Sequence, residues 1–253
     1  MSGEAHSRTE ITLPDCQRAL TRAVRKAGKP LIVVLSTGRA LALDDSLTGA
    51  EAILVAWFLG SESGNALSDI LLGSASPSGR LPVSFPQQSG QQPFFYNHKS
   101  TGGPQLPGKS ASYKARYIEV SHEPLFPFGF GLGYSAVSYG TAKVDQPRMG
   151  WDSAITISAQ IRSDSARAVE EVVQLYLRDV TASVTRPVRE LKGYRRIALQ
   201  PGEARNVQFR VSRRDLEFVG NDLKWQTEPG EFLAWIAPNS RDGAPTGFML
   251  ERA

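Results

Sequence analysis

Hydrophobic and polar positions divide the chain into three stretches with different spacing. Between residues 14 and 73, apolar positions at helical spacing are followed by two continuous apolar runs. Residues 74–135 are rich in glycine, proline and aromatic residues without regular spacing, whereas residues 152–253 alternate apolar and polar positions. Continuous runs indicate buried strands, and strict alternation indicates sheets with one solvated face. The pattern therefore predicts an α/β part, a long loop and an all-β part.

The first stretch predicts a helix, two strands and a shorter helix. The first helix is expected between Pro14, a residue type favoured at helix starts, and Gly28, a typical C-cap. The runs at 30–38 and 52–57 are continuous, and the first is rich in β-branched residues, which is typical of strands buried on both faces. Residues 64–73 fit a short helix. This order matches part of a doubly wound sheet, with too few strands for a complete one.

The last stretch predicts a β-sandwich. About seven alternating segments, separated by turn signals, fit an immunoglobulin or fibronectin type III fold. The pattern breaks between residues 136 and 151, which predicts a linker there, so the expected domains are 1–135 and 152–253. We expect Trp225 and Trp235 to occupy core or edge positions of this sandwich.

Charge and cysteine content argue against several classes of function. The 29 basic and 25 acidic residues give a net charge of +4, which is a mixed surface rather than a nucleic-acid footprint. Cys16 is the only cysteine, so no disulfide framework or cysteine metal site is expected, and its place in the predicted helix suggests a small buried residue. No apolar run approaches ~18 residues, so no membrane-spanning helix is expected. We expect neither a cofactor nor a metal.

Serine chemistry has weak support in the sequence. The nucleophile-elbow motif GxSxG does not occur: in residues 60–64, Glu62 stands where that motif has serine. The three histidines are His6, His98 and His122, and a Ser-His-acid triad could still be assembled from them. A serine esterase therefore stays open as an alternative.

Several motifs, in a fixed order, resemble one enzyme family. They read GEAHSRTEITLP, KPLIVVLSTGRALAL, AWFLGSESGNALSDILLGSASPSGRLPVSFP, FFYNHKSTGGP and RYIEVSHEPLFPFGFGLGYS. Together they resemble the C-terminal half of glycoside hydrolase family 3, in its bacterial periplasmic β-glucosidase type. A later segment, VVQLYLRDVTASVTRPVRELKGYRRIALQPGE, is similar to the fibronectin type III-like domain that ends many of these enzymes. The resemblance extends over nearly all 253 residues.

The resemblance implies a fold class and a catalytic residue. Members of the family combine a (β/α)8 barrel carrying an aspartate nucleophile, an α/β sandwich offering a glutamate general acid/base, and the fibronectin-like domain. The family's acid/base loop is similar to residues 2–8, which places Glu4 in the acid/base position. The chain is then expected to begin on this loop, without the preceding strand and the barrel. The implied fold is α/β plus all-β: a partial α/β sandwich, an incomplete doubly wound sheet, followed by a fibronectin type III-like β-sandwich.

The resemblance also implies a reaction, the retaining hydrolysis of β-glucosides. That reaction needs two carboxyl groups ~5–5.5 Å apart, one as nucleophile and one as acid/base. No recognisable nucleophile motif accompanies Glu4, so we expect the isolated chain to be inactive. His98 and Arg8 are weaker candidates for substrate binding. Gly103 stands where the family often has arginine, which counts against a complete site.

The expected partners follow from the same resemblance. They are a β-glucoside or oligosaccharide, bound by the complete enzyme, and the missing barrel, supplied in cis or in trans. Without the barrel, an open sheet edge and an apolar surface would favour self-association, while residues 152–253 would fold well. The family is usually periplasmic or secreted, and no signal peptide is recognised in this chain. The other alternative is a non-catalytic carbohydrate-associated or assembly module.

Overall fold

The computed structural model describes residues 5–101 and 115–252. Their contacts form two compact units, which we call the α/β unit and the sandwich unit. The α/β unit comprises residues 5–75, 83–95 and 116–127, and the sandwich unit comprises residues 76–82, 96–101, 115 and 128–252. The long loop predicted at 74–135 is therefore shared between both units.

The α/β unit contains the predicted helix, two strands and second helix, with an additional α-helical turn and a 3₁₀ turn. In chain order its elements are α1 (Asp15–Arg25), β1 (Ile32–Leu35), α2 (Asp45–Thr48), β2 (Ala52–Val55), α3 (Ser63–Leu71) and a 3₁₀ turn (Ser89–Gln91). The two strands run parallel, from the pair Ile32 and Ala52 to the pair Leu35 and Val55. The additional turn, α2, is capped by Asp44, whose carboxylate accepts a hydrogen bond from the Ser46 backbone N–H at 3.0 Å.

Burial in the α/β unit differs from the sequence prediction. Ile32 and Val34 of β1 are 52% and 40% exposed, so this strand is not buried on both faces. In the described part of the chain, β1 pairs with β2 alone in a two-stranded sheet, and no element of that part buries the side chains of Ile32 and Val34. Helix α1 contributes no buried residue, and the prediction of a buried Cys16 is wrong because this side chain is exposed.

The sandwich unit consists of two larger sheets and a small ribbon. Its strands are β3 (Val137–Tyr139), β4 (Lys143–Val144), β5 (Arg148–Gly150), β6 (Ala154–Ser163), β7 (Val169–Asp179), β8 (Glu190–Leu199), β9 (Ala204–Ser212), β10 (Phe218–Val219), β11 (Trp225–Gln226), β12 (Gly230–Ala237) and β13 (Thr246–Glu251), and a 3₁₀ turn (Arg213–Leu216) follows β9. One sheet has the order β5-β13-β12-β7-β8. In the other, β6 pairs antiparallel with β9 along its length and with β3 and β4 over shorter stretches. The ribbon is formed by β10 and β11.

The core of the sandwich follows the predicted alternation. Ile155, Ile157 and Ile161 of β6 are fully buried and pack in one cluster with apolar residues of β7, β9, β12 and β13. Strand β7 departs from simple alternation, because Tyr176 is also buried and belongs to a second cluster with Trp235 of β12. Buried residues at both odd and even positions show that β7 is covered on both faces.

Residues 136–151, where the sequence predicted a linker, contain the three short strands β3, β4 and β5. Each has two or three residues, and Gly140 and Pro147 separate them, so no alternation is visible in the sequence. Val137, Tyr139 and Val144 pack against the sandwich core. These residues therefore belong to the sandwich, while the division of the chain into two domains stays a prediction.

Candidate functional site

The candidate acid/base, Glu4, lies outside the described residues. The chain after it is exposed until Ile11, which is buried in the α/β unit. The Ile11 backbone N–H donates to Ser89 Oγ at 3.2 Å, and the Ile11 carbonyl accepts from the Ala42 N–H at 3.1 Å. Ser89 also hydrogen-bonds to the Glu10 carboxylate. The chain that follows Glu4 is thus attached to the α/β unit by hydrogen bonds at Glu10 and Ile11.

The two weaker candidates belong to different units. Arg8, in the α/β unit, is exposed, and its side chain forms no hydrogen bond or ion pair within residues 5–101 and 115–252. His98, in the sandwich unit, is also exposed. Its carbonyl oxygen accepts from the Val188 N–H at 2.9 Å, and its ring Nδ1 lies 3.1 Å from the Lys99 carbonyl oxygen. Each side chain is therefore available to a ligand.

Tyr96, two residues before His98, is held by aromatic and hydrogen-bond contacts. Its ring stacks on Phe128 with 4.2 Å between centroids and meets Tyr176 edge-on at 6.1 Å. The Leu191 N–H donates to Tyr96 Oη at 3.2 Å. Burial raises the pKa of the Tyr96 phenol above its ordinary value. The outer face of the five-stranded sheet thus has an ordered aromatic cover.

A turn at Gly129 is hydrogen-bonded to the same face of the five-stranded sheet through the buried side-chain amide of Gln174. Gln174 Nε2 donates to the Gly129 carbonyl at 3.2 Å and to the Pro238 carbonyl at 2.6 Å. The Tyr176 hydroxyl donates to Gln174 Oε1 at 2.5 Å. Gly129 has φ +81°, and a Cβ at this position would collide with the Gln174 amide. Only glycine fits this conformation and this close approach without strain.

A buried ion pair fixes the segment around Arg80 within the sandwich unit. Arg80 Nη2 lies 2.6 Å from Glu171 Oε1, and both side chains are nearly inaccessible to solvent. The same oxygen accepts from the Tyr139 hydroxyl at 3.1 Å and from the Val172 N–H at 2.9 Å. Sequence reasoning missed this pair. The signal was available, because Glu171 occupies an inward position of β7 between Val169 and Val173, where an unpaired carboxylate would be costly.

Asp179 is a second buried carboxyl group of the sandwich unit. It is 7% exposed, and its Oδ2 lies 3.8 Å from Arg186 Nε. Arg186 Nη2 bonds to Glu190 at 2.8 Å, and its guanidinium lies 4.5 Å above the Phe218 ring. Burial raises the pKa of Asp179 to about 6, although the Arg186 charge lowers it. Arg186 thus lies between the Asp179 carboxyl group and the Phe218 ring of β10.

The structure also gives the surroundings of four other residues that the sequence singled out: Glu62, His122, Trp225 and Trp235. Glu62 precedes α3 and accepts a hydrogen bond from Asn65 Nδ2 at 2.7 Å. The sequence predicted core or edge positions for two tryptophans: Trp235 is buried in the aromatic cluster with Tyr176, and Trp225 is largely exposed in the two-stranded ribbon. The ring of His122 lies 5.2 Å from that of Tyr117.

Two kinds of feature are absent from the described ranges, 5–101 and 115–252. No group of three or more His, Cys, Asp or Glu side chains there has an arrangement that could hold a metal ion. No helix in the same ranges is long and apolar enough to cross a membrane.

Comparison with known protein families gives two matches. Residues 1–134 match the glycosyl hydrolase family 3 C-terminal domain, and residues 171–240 match the fibronectin type III-like domain. The first match includes Glu4, Arg8 and His98.

Curated relatives are glycosidases that are much longer than this chain. A periplasmic beta-glucosidase of Salmonella typhimurium is 43% identical over 240 residues, which is 95% of this chain and 31% of the relative. A beta-xylosidase of Formosa agariphila is 36% identical over 94% of this chain and 32% of the relative. The chain therefore spans about a third of the length of the curated relatives it matches.

Solved structures confirm the predicted fold class. The beta-glucosidase of Listeria innocua in complex with isofagomine has a TM-score of 0.93 at 36% identity, covering 99% of this chain and 35% of that chain. A GH3 beta-glucosidase of Bifidobacterium adolescentis has a TM-score of 0.78 at 28% identity, covering 98% of this chain and 37% of that chain. The α/β part and the fibronectin-like sandwich thus occur together in such glycosidases.

Proposed function

This chain belongs to glycosyl hydrolase family 3, and we propose that it is the C-terminal portion of a β-glucosidase in which Glu4 serves as the general acid/base. The observation that carries this proposal is the family match over residues 1–134, which begins before Glu4. Identity of 43% to a periplasmic beta-glucosidase over 95% of the chain supports the same activity.

The proposed chemistry divides between two carboxyl groups. Glu4 protonates the glycosidic oxygen as the bond to the anomeric carbon breaks, and a carboxylate outside this chain attacks that carbon. Glu4 then takes a proton from the water that releases the sugar. Retention requires the two groups ~5–5.5 Å apart. Glu4 alone provides half of this pair, so the isolated chain is expected to lack glucosidase activity.

Exposed apolar side chains of the α/β unit support the proposal that another part of the enzyme covers this unit. Leu20 on α1 is 63% exposed, and Phe58 and Leu72 are 76% and 80% exposed. Ile32 and Val34 of β1 are also exposed, so large apolar side chains of both α1 and β1 lie in water in this unit. We infer that the remaining part of a family 3 enzyme, including the barrel, covers this surface in cis or in trans. Without that cover, self-association through the open β1–β2 sheet is expected.

Turnover by a chimera tests the proposal. This chain would replace the matching third of the Listeria innocua beta-glucosidase, and hydrolysis of an aryl β-glucoside would be measured. We expect Glu4→Gln to lower kcat about 10²–10⁴-fold, the range for loss of a general acid/base. Glu10→Gln is the matched control, because Glu10 is an exposed acid on the same segment and the glutamine keeps a side-chain oxygen that can accept from Ser89, so activity should stay near the unsubstituted level.

Each possible result is informative. An active chimera that is insensitive to Glu4→Gln would contradict the acid/base assignment. A chimera that folds but stays inactive would contradict the proposed activity, and turnover by this chain alone would show that the nucleophile lies within it.

Substrate and location are finer proposals. The relatives include beta-glucosidases and a beta-xylosidase, so an aryl β-xyloside should be assayed in parallel; we propose the glucoside as the better substrate, following the more similar relative. Because that relative is periplasmic, we propose a periplasmic or secreted enzyme. Export of the full-length natural protein, followed by fractionation, would test this location.

A further inference from the structure

Residues 96–101 lie within the family 3 match but pack in the sandwich unit. The match extends over residues 1–134, whereas the contacts group 96–101 with the sandwich strands. The sequence family and the folding unit therefore divide the chain at different places. This segment contains His98, the candidate substrate-binding histidine.

The backbone of the segment lies alongside the chain that leads into β8. The Val188 N–H donates to the His98 carbonyl at 2.9 Å, and Lys99 forms an isolated antiparallel bridge with Pro187. The hydrogen bond to the His98 carbonyl restricts the position of the backbone from which the His98 side chain extends.

Tyr96 adds a second attachment two residues upstream. Its ring lies between Phe128 and the edge of Tyr176, and its oxygen accepts from the Leu191 N–H. Tyr176 is fully buried, so the surface under Tyr96 is part of a packed cluster and not a mobile loop. The ring stack and the hydrogen bond together fix the direction in which the chain leaves toward His98.

We propose that the sandwich unit positions His98 for sugar binding and that Tyr96 is the positioning residue through which it does so. This inference rests on the proposed function. Because the ring Nδ1 lies 3.1 Å from the Lys99 carbonyl oxygen, which can only accept, Nε2 is the ring nitrogen that remains to hydrogen-bond a sugar hydroxyl group. Prior attachment of the segment lowers the ordering cost of binding, because less conformational freedom is lost when the sugar arrives.

Amide exchange tests the attachment in the full chain without any substrate. Tyr96→Phe keeps the ring stack but removes the oxygen that Leu191 N–H uses, so exchange at Leu191 should accelerate at least tenfold with Val188 little changed. Tyr96→Ala removes both contacts and should accelerate exchange at Leu191 and Val188 alike. Tyr194→Phe, at an exposed tyrosine of the same strand β8, is the control and should change neither amide. Unchanged exchange at both amides in Tyr96→Ala would overturn the proposal.

Kinetics of the chimera test the role in binding. Tyr96→Ala should raise KM about tenfold with kcat within twofold, and Tyr96→Phe should have a smaller effect. Because Tyr96 is proposed to act through His98, the double variant Tyr96→Ala/His98→Ala should have the KM of His98→Ala alone. Additive effects, or an unchanged KM in His98→Ala, would overturn the positioning role.

The two proposals fail in different ways. If Glu4→Gln leaves turnover intact while the Tyr96 and His98 variants raise KM, the acid/base assignment fails and the positioning role stands. If the unsubstituted chimera is inactive, the proposed function fails and the sugar-binding role of His98 is overturned with it. In that case the exchange data still decide whether the sandwich unit holds residues 96–101.

Discussion

The two units of this chain differ in how completely they bury their apolar residues. The sandwich unit has a continuous core between two sheets and a second aromatic cluster on its outer face. In the α/β unit, α1 and α3 contribute no buried residue, and apolar side chains of α1 and β1 face solvent. Because burial of apolar area is the main favourable term in folding, we infer that the sandwich unit is stable by itself and that the α/β unit needs a cover.

The largest expected effect is a loss of unfolding free energy in the sandwich unit when its buried ion pair is broken. Replacing Arg80 with Met leaves the Glu171 carboxylate buried without its partner, which should cost about 3–5 kcal/mol of unfolding free energy. Arg196→Met is the matched control, because Arg196 pairs with Glu170 at 2.8 Å while both side chains are more than half exposed. That change should cost at most about 1 kcal/mol. Urea unfolding of both variants measures the difference, and equal losses would contradict a stabilising buried pair.

The next effect concerns pH. The folded pKa of Asp179 is about 6, above its ordinary value of 3.8, so the folded protein binds more protons than the unfolded chain between these values. The unfolding free energy therefore falls as pH rises through this window, by about 3 kcal/mol once Asp179 is fully ionised. Arg186, Glu190 and Glu228 share this environment, and Asp179→Asn removes the titrating group itself.

Urea unfolding at pH 4.5 and pH 7.5 measures this contribution. The protein should lose more stability between the two pH values than Asp179→Asn does. An exposed substitution, Asp152→Asn, should behave like the unsubstituted protein. The same pH dependence in Asp179→Asn would show that Asp179 is not the group responsible.

An effect of similar size is expected at the glycine turn. Gly129→Ala places a Cβ against the Gln174 amide at a left-handed φ, which should cost about 2–4 kcal/mol in unfolding free energy at the sandwich unit. Gly202→Ala has the same left-handed strain, with φ +72°, but no atom within 4 Å of the added Cβ. It should cost about 1–2 kcal/mol, so the difference between the two variants isolates the collision. Thermal unfolding compares them, and equal losses would mean that Gln174 yields freely.

The smallest effect on stability belongs to the exposed face of the α/β unit. Leu20→Ser and Ile32→Thr should change unfolding free energy by no more than about 0.5 kcal/mol, because neither side chain is buried. Both should weaken self-association, measured by sedimentation velocity across a concentration series. Leu47→Ala, at a fully buried position of the same unit, is the contrasting variant and should cost about 2–5 kcal/mol. A monomer at all concentrations would contradict the need for a cover.

The sequence predicts elements well where spacing is strong. The helix between Pro14 and Gly28 and the long strands of the sandwich could be predicted, because helical spacing and alternation each extend over a whole element. The short strands at 136–151 could not, since two or three residues carry no period. The sequence overestimated the burial of β1. A continuous apolar run shows that both faces of a strand are apolar, but it does not show that other elements pack on both faces.

Long-range contacts limit what the sequence predicts about the site. Arg80 and Glu171 are 91 residues apart, and Tyr96 and Leu191 are 95 residues apart, so no local pattern joins them. The same contacts change the expectation that residues 152–253 fold well by themselves. A piece that begins at residue 152 would lack the partners of Glu171 and the aromatic cover of Tyr176, so we now expect it to be less stable than the whole sandwich unit.

The central claim, that Glu4 is the general acid/base of a β-glucosidase, is tested most directly by azide rescue. In the chimera, Glu4→Ala should still react with 2,4-dinitrophenyl β-glucoside, because this leaving group needs no protonation, and release of the sugar should then be slow. Added azide should restore turnover and yield β-glucosyl azide, since an anionic nucleophile needs no general base. No rescue by azide, or full activity of Glu4→Ala toward glucosides with poor leaving groups, would contradict the account.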